Sequence, residues 1–571
     1  MTAAPAGAPA AAALHRPDGE AMAERGSRGA MLLQVAGALL WLPQAWLIAF
    51  VIGAVARGGG VRDALLPAVG VLALGAGRSV CEALGSRKAF LEARASLSRR
   101  REAAVAALAA GSPLDRARPA SGLAASVVTE QAEALVPYQA RFGPARLKAT
   151  LVPLAILCAV LPLSWVAALV LLFSAPLIPI FMALIGWRAK AASEAHLAET
   201  GSLNAFLLDR LRGLTTIRAL GAVDATALRL RVHAEDLRRR TMAVLRVAFL
   251  SSAVLELFSA LGVAMVAVYV GFHLLDALPF GAWGERLSLS EGLFILLLAP
   301  AFFEPLRELS AVWHDRAAGQ AAIAALDQVS RGGLALVDAA GPGQEAGPDR
   351  GRAADLRIEG LSFGHAGAAD AVLDGFALKV AAGEHVAILG PSGSGKSTLL
   401  ALIAGLAPPD SGSIAIGGTR LGPDSAARLR RRMAWIGQRS HLFAGTLAGN
   451  VALGRDGPGR AAVADALRMA ALDDLAGARP GASIGEGGAG LSGGEGLRLA
   501  LARGAANPHA DLILADEPTA HLDAATARDI TERLLAFAAG RTLVVATHDP
   551  VLAARMHRVV RLDPERLEGA A

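Results

Sequence analysis

Cysteine and tyrosine are almost missing from this 571-residue chain, which has two of each. Cys81 and Cys158 sit in separate apolar stretches and form no CxxC pair, so the chain carries no motif for thiol redox chemistry. Aromatic residues are sparse at 5%, and no set of base-stacking aromatics or nucleic-acid motif accompanies the basic residues. A net charge of +6 therefore does not point to DNA or RNA. Charged residues are also few, 19% against 54% hydrophobic, with a mean hydropathy of +0.44, which is high for a soluble protein. The arginines instead flank apolar runs, as in Arg99-Arg100-Arg101 and Arg238-Arg239-Arg240, the pattern of a positively charged cytoplasmic membrane flank.

The length calls for two or three domains, and the apolar excess lies almost wholly before about residue 310. Six stretches there are long and apolar enough to cross a bilayer: 31–56, 63–83, 147–163, 165–187, 246–275 and 288–310. The first is too long for a signal-peptide core and reads as an uncleaved span. The segments 84–146 and 188–245 each hold about ten Lys and Arg, whereas the links near 57–62, 164 and 276–287 are short and weakly charged. Both long loops and both ends are therefore expected on the cytoplasmic side. Mixed apolar and charged periodicity through 87–109 and 189–240 predicts helices that continue beyond the bilayer, with turns near Gly201-Ser202-Leu203-Asn204 and Gly213-Leu214-Thr215-Thr216. Residues 1–29 read as a flexible cytoplasmic lead-in, 30–330 as the membrane domain, 331–353 as a Gly/Pro-rich linker and 354–571 as an α/β domain.

The last domain carries its chemistry in ordered motifs. Gly390-Pro391-Ser392-Gly393-Ser394-Gly395-Lys396-Ser397-Thr398 is a phosphate-cradling loop that opens a helix. Lys396 is placed to reach the β- and γ-phosphates of ATP, and Ser397 to hold Mg²⁺. Asp516 ends an apolar strand and is a second Mg²⁺ candidate, with Gln438, on a loop placed to sense the γ-phosphate and itself a catalytic candidate, as a third; Glu517 is the candidate base that polarises water. His548 follows another apolar strand, where it can contact the γ-phosphate. Between loop and acid lies Leu491-Ser492-Gly493-Gly494-Glu495, a turn that resembles the signature of ATP-binding-cassette (ABC) ATPases. That resemblance implies closure of the turn over ATP held by a second cassette, with Asp523 communicating across the dimer. Two positions depart from the common pattern: His365 stands where an aromatic residue usually stacks on adenine, and Glu495 replaces the commoner Gln.

Six spans followed by a cassette resemble the half-transporters of the exporter-type ABC family. The stretches 241–256, 175–182 and 206–214, with Pro305-Leu306-Arg307 and Trp313-His314-Asp315-Arg316-Ala317, are similar to the CydD subunits of CydDC-type heterodimeric transporters. The likeness covers about residues 30–565, and Pro300-Ala301-Phe302 departs from the family's Pro-Glu-Phe, so that any role of that acid is lost or moved to Glu304. The resemblance implies an all-α six-helix membrane domain joined to an α/β P-loop ATPase, embedded in a bacterial inner membrane and paired with a CydC-like half. It also implies support of cytochrome bd assembly, with glutathione, cysteine or haem as cargo. From the residues, His314 beside Trp313 is a candidate haem or cargo contact, and Glu256 and Arg78 are candidates as ionisable groups inside apolar spans. A lipid, drug or peptide exporter of the same architecture is the alternative, as is a non-transporting membrane ATPase or haem-handling assembly factor.

Overall fold

The computed structural model describes residues 17–58, 60–176, 207, 210–211, 213–278, 280–283, 286–337, 353–368, 370–438, 440–453, 459–472, 483–485 and 491–562. The motif positions within 177–206, the turn at 201–204 and most of the linker lie outside them. The chain forms two compact units, one of residues 1–104 and 122–328, the other of residues 105–121 and 329–571.

The first unit is helical. Its helices Pro17–Leu39, Trp41–Ala56, Val61–Ala110, Gly143–Val160, Trp165–Pro176, Val223–Leu274 and Leu289–Ala311 carry the candidate spans, and Trp313–Ser330 continues from the last. Five described helical stretches are long and apolar enough to cross a membrane, and Trp165–Pro176 is a shorter apolar helix at the fourth expected span. The first helix begins at Pro17, inside the stretch expected to be a flexible lead-in. Its Pro at the first position and the Ala, Glu, Met and Arg that follow are helix formers that outweigh the absence of an apolar core there.

In this unit, backbone polarity is satisfied within the helices, leaving many large apolar side chains outward, among them Leu66, Leu72, Phe173 and Leu275. The core gathers Ala45, Ile156, Leu171, Val270, Ile295, Leu298, Phe302 and Phe303. Small residues permit close approach: a Cβ on Gly262 would stand 2.4 Å from the Phe303 ring. At one end of the bundle, the buried Ser164 hydroxyl bonds the Tyr269 hydroxyl (3.0 Å) and the Gly281 carbonyl (2.8 Å), closing two connecting loops together.

Among the described residues the second unit has eleven strands: β1 (Leu356–Phe363), β2 (Leu373–Val380), β3 (His385–Leu389), β4 (Ser411–Ile416), β5 (Thr419–Arg420), β6 (Met433–Ile436), β7 (Gly445–Thr446), β8 (Ser483–Ile484), β9 (Leu512–Asp516), β10 (Thr542–Thr547) and β11 (Arg558–Arg561). A parallel sheet runs β11-β3-β10-β9-β6, and an antiparallel sheet runs β2-β1-β4-β5. The central strands are continuous apolar runs because both faces of the parallel sheet are covered. Alternate side chains feed two cores. Val386, Ile388, Leu512, Leu514, Val544 and Ala546 pack with the antiparallel sheet and the helix Lys396–Ile403. Ala387, Ile513, Ala515, Leu543 and Val545 pack under the helices Gly493–Ala505 and Ala524–Ala538.

Residues from the loop after Val61–Ala110 belong to this second unit. The Ser112 amide donates to the Leu334 carbonyl (2.8 Å), and the Leu336 amide to the Ala110 carbonyl (2.9 Å). The Val337 amide donates in turn to the carbonyl of Gly405 (3.1 Å), just past the helix that begins with Lys396.

Candidate functional site

Parallel register brings the catalytic candidates to one edge. Leu389 pairs with Thr547, Ala546 with Asp516, and Ala515 with Ile436. The phosphate loop, His548, Glu517 and Gln438 therefore all leave their strands at the carboxyl edge of one sheet, where open α/β sheets bind ligands.

The loop wraps tightly because two of its glycines, Gly393 and Gly395, adopt positive φ of 85° and 89°. Gly395 caps the helix Lys396–Ile403, whose free amides face the loop. Lys396 is only 6% exposed. Its ammonium donates to the carbonyls of Gly390 (2.9 Å) and Pro391 (2.8 Å) and lies 3.6 Å from a Glu517 oxygen. The other Glu517 oxygen is 2.7 Å from His548 Nδ1. Glu517 is thus a buried carboxylate held between two basic groups. Its own backbone is strained, at φ 47° without being glycine.

Ser397 Oγ donates to Asp516 Oδ1 at 3.0 Å. Burial pushes the Asp516 carboxyl above its ordinary range; the Ser397 bond opposes this, Glu517 adds to it and Lys396 opposes it. A buried, desolvated carboxylate beside a hydroxyl is a hard-oxygen pair that suits Mg²⁺, whose charge would relieve the desolvation. The residues therefore fit that ion. The buried Ser394 hydroxyl has no partner among the described residues, as expected of a donor aimed where a phosphate would sit. Gln438 is exposed on the loop beyond β6.

The turn at 491–495 is built as a helix start. Ser492 caps Gly493–Ala505, and a Glu495 carboxylate oxygen accepts from the Ser492 amide (2.6 Å) and hydroxyl (2.8 Å). This capping box gives Glu495 a structural reason to stand there. Glu495→Gln is expected to keep the reciprocal bond to Ser492 and Glu495→Ala to lose it, at about 0.5–1.5 kcal/mol, read as a lower thermal midpoint. Leu491 packs on the core below, while Ser492 and Gly493 are exposed. Gly494 approaches Thr526 so closely that a Cβ would lie 3.0 Å from its methyl group. Asp523 caps that neighbouring helix, accepting from the amides of Ala525 and Thr526 and from the Thr526 hydroxyl at 2.6 Å. The Thr526 hydroxyl, with the backbone bonds, holds the Asp523 carboxyl below its usual range.

Several supports escaped the motif search. Arg503 bonds Asn450 Oδ1 and the carbonyls of Asn450 and His441, tying the segment after Gln438 to the helix that Ser492 caps. Thr519 donates to Asp549, linking the turns after Glu517 and His548 at 3.2 Å. Their residue types are common, so only the fold exposes them. His365 follows β1, with its ring edge-on to Phe363 at 5.3 Å and a buried Nδ1 that has no partner among the described residues.

The membrane-unit candidates separate. Glu256 is 74% exposed and lies 3.6 Å from Arg307. His314 is exposed beside Trp313, which meets Phe142 edge-on; Arg316 lies over both rings. Arg78 lies 5.5 Å from the centre of the Trp41 ring, in the lining of a cavity of about 390 Å³ that also includes Ala301 and Glu304.

The family model for the ABC transporter matches residues 373–520, and that for the ABC transporter transmembrane region matches 29–294. The chain is 34% identical to the transport ATP-binding protein AarD of Providencia stuartii, over 92% of this chain and 89% of the relative. It is 37% identical to the glutathione/L-cysteine transport system ATP-binding/permease protein CydD of Escherichia coli K12, over 77% of this chain and 74% of the relative. Among solved structures, a bacterial Atm1-family ABC exporter with ATP bound superposes with a TM-score of 0.73 at 23% identity, covering 95% of this chain and 94% of that one.

Proposed function

The chain belongs to the ABC transporter family as an exporter-type half-transporter, and on that premise we propose that it is a CydD-like subunit moving a small thiol across a bacterial inner membrane. Its ATPase domain couples ATP hydrolysis to transport. The 34–37% identity to AarD and CydD across both domains supports the finer reading more than any single residue does. In this reading the partner is a CydC-like half, both termini and the ATPase domain are cytoplasmic, and glutathione or cysteine is the cargo.

We assign the roles as follows. The loop amides and Lys396 bind the ATP phosphates, and Ser397, Asp516 and Gln438 would hold Mg²⁺, which would supply charge neutralisation at the phosphates. Glu517 accepts the proton of the attacking water, and His548 fixes that carboxylate through its 2.7 Å contact. The partner's ATP is capped by Leu491, Ser492, Gly493, Gly494 and Glu495, with Asp523 beside them. His365 contacts the adenine. Closure of the paired cassettes drives alternating access.

The test is ATP-dependent accumulation of L-cysteine and glutathione in inverted vesicles containing this chain and its co-expressed partner half. Hydrolysis without accumulation of either would overturn the thiol reading. A second reading, haem as cargo or regulator, draws on His314 beside the Trp313–Phe142 rings and the Arg316 cation. A haemin titration of His314→Ala with an unchanged absorption spectrum and affinity would remove that role for His314.

A further inference from the structure

We propose that the cavity of about 390 Å³ inside the membrane unit is a binding site for a small α-amino-acid zwitterion, held by Arg78 at its carboxylate and by Glu82 and Glu304 at its ammonium. This rests on the transport reading above and names the charge type of its cargo and the residues that select it.

The volume lies within the range of about 300–1,000 Å³ typical of small-molecule sites. Its lining is unusually ionic for a unit that spans a bilayer. Lys148, 8% exposed, is satisfied by Glu308 at 2.6 Å. Among the described residues Arg78, Glu82 and Glu304 have no ion pair or hydrogen bond through their charged groups; Arg78 has only the face of Trp41. Glu82 and Glu304 are exposed and Arg78 is half-buried, so these charges stand where water or a ligand can meet them. Gln34 gives an independent sign. It is 8% exposed and lines the same cavity, yet its amide makes no hydrogen bond among the described residues. An amide that opens on a cavity with no protein partner is free to donate to or accept from a ligand there.

The balance of charge selects the ligand. Three carboxylates line the space against two cations, and one of each is already paired. What remains is one guanidinium and two carboxylates, with the Gln34 amide able to donate and accept. A solute with one carboxylate and one ammonium matches this set. A dicarboxylate porphyrin would bring two negative charges into a lining already in acidic excess. Glutathione, with two carboxylates for one ammonium, matches less well than cysteine. The same ammonium–anion chemistry occurs in a phosphatidylethanolamine headgroup, so lipid must be separated from free solute.

The experiment is calorimetric titration of reduced L-cysteine into the intact two-chain complex in nanodiscs of phosphatidylglycerol, repeated with phosphatidylethanolamine added. Binding by the unmodified complex is expected to weaken at least tenfold in Arg78→Gln and in Glu304→Gln, with part retained in Arg78→Lys. Glutathione and haemin are expected to bind more weakly than L-cysteine or to be insensitive to these substitutions. Absence of cysteine binding, or binding unchanged in all three variants, overturns the site. Competition by phosphatidylethanolamine overturns the amino-acid assignment in favour of the headgroup. Vesicle accumulation of cysteine that is indifferent to Arg78→Gln overturns the site alone, and leaves the transport reading standing.

Discussion

Replacing Glu517 with Gln should lower steady-state ATP turnover by roughly 10²- to 10⁴-fold, the usual contribution of a positioned general base, while ATP binding persists. The substitution preserves shape, so the strained turn at φ 47° and the contact with His548 have no steric reason to change. What disappears is the ability to accept a proton. Glu517 is 8% exposed and is met by Lys396 on one oxygen and His548 on the other. That environment keeps the carboxylate in one orientation at the cleft. Turnover should be measured in the assembled transporter with the partner's own site disabled, alongside equilibrium binding of a fluorescent ATP analogue. Turnover within fivefold of the parent would show that another group takes the proton.

Lys396→Ala should act earlier in the cycle, on binding. A charge-assisted hydrogen bond contributes about 1.5–3 kcal/mol, so ATP affinity should fall roughly 10- to 100-fold. The same substitution also removes a counter-charge from a buried acid. Breaking a buried ion pair from one side costs about 3–5 kcal/mol; the 3.6 Å separation here and the second partner His548 place the effect towards the lower end. Lys396→Ala should therefore lower the thermal midpoint without nucleotide as well as the affinity for it. A variant with parental affinity for ATP would refute the role given to this amine. The pair Lys396→Ala with Glu517→Gln should recover part of the lost stability, since the uncompensated charge is then gone.

The motifs made most of the ATPase site legible before any coordinates. Glycines at 393 and 395, a lysine and serine opening a helix, and an acid after an apolar strand each have a local physical reason. The capping box went unread, because Glu495 stood out only as a departure from the family pattern. The supports were not legible. Arg503 lies 53 residues from Asn450, and nothing in either neighbourhood announces the pairing. Thr519 and Asp549 are separated by 30 residues, and Gly494 meets Thr526 only because two helices cross there.

In the membrane half, five of the six expected spans coincide with described helices long and apolar enough to cross, because lipid imposes about twenty apolar residues on any crossing helix. The partners of its charges do not follow from hydropathy, since pairing depends on how helices face one another. In sequence Glu256 and Arg78 were each an ionisable group in an apolar stretch, Arg78 with Glu82 one helical turn away as a candidate partner. Packing separated them, leaving Glu256 exposed beside Arg307 and placing Arg78 in a cavity with Glu82, Glu304 and Gln34.

The sequence alone determined the two kinds of domain, the spans and the order of the catalytic motifs, because hydrophobic period and loop chemistry are local properties. Only the tertiary structure decided which carboxylate Lys396 faces, which chain segment anchors the 334–337 stretch, and which membrane charges go unpaired. Those are facts of register and helix contact, set by residues up to a few hundred positions apart, and no local pattern encodes them.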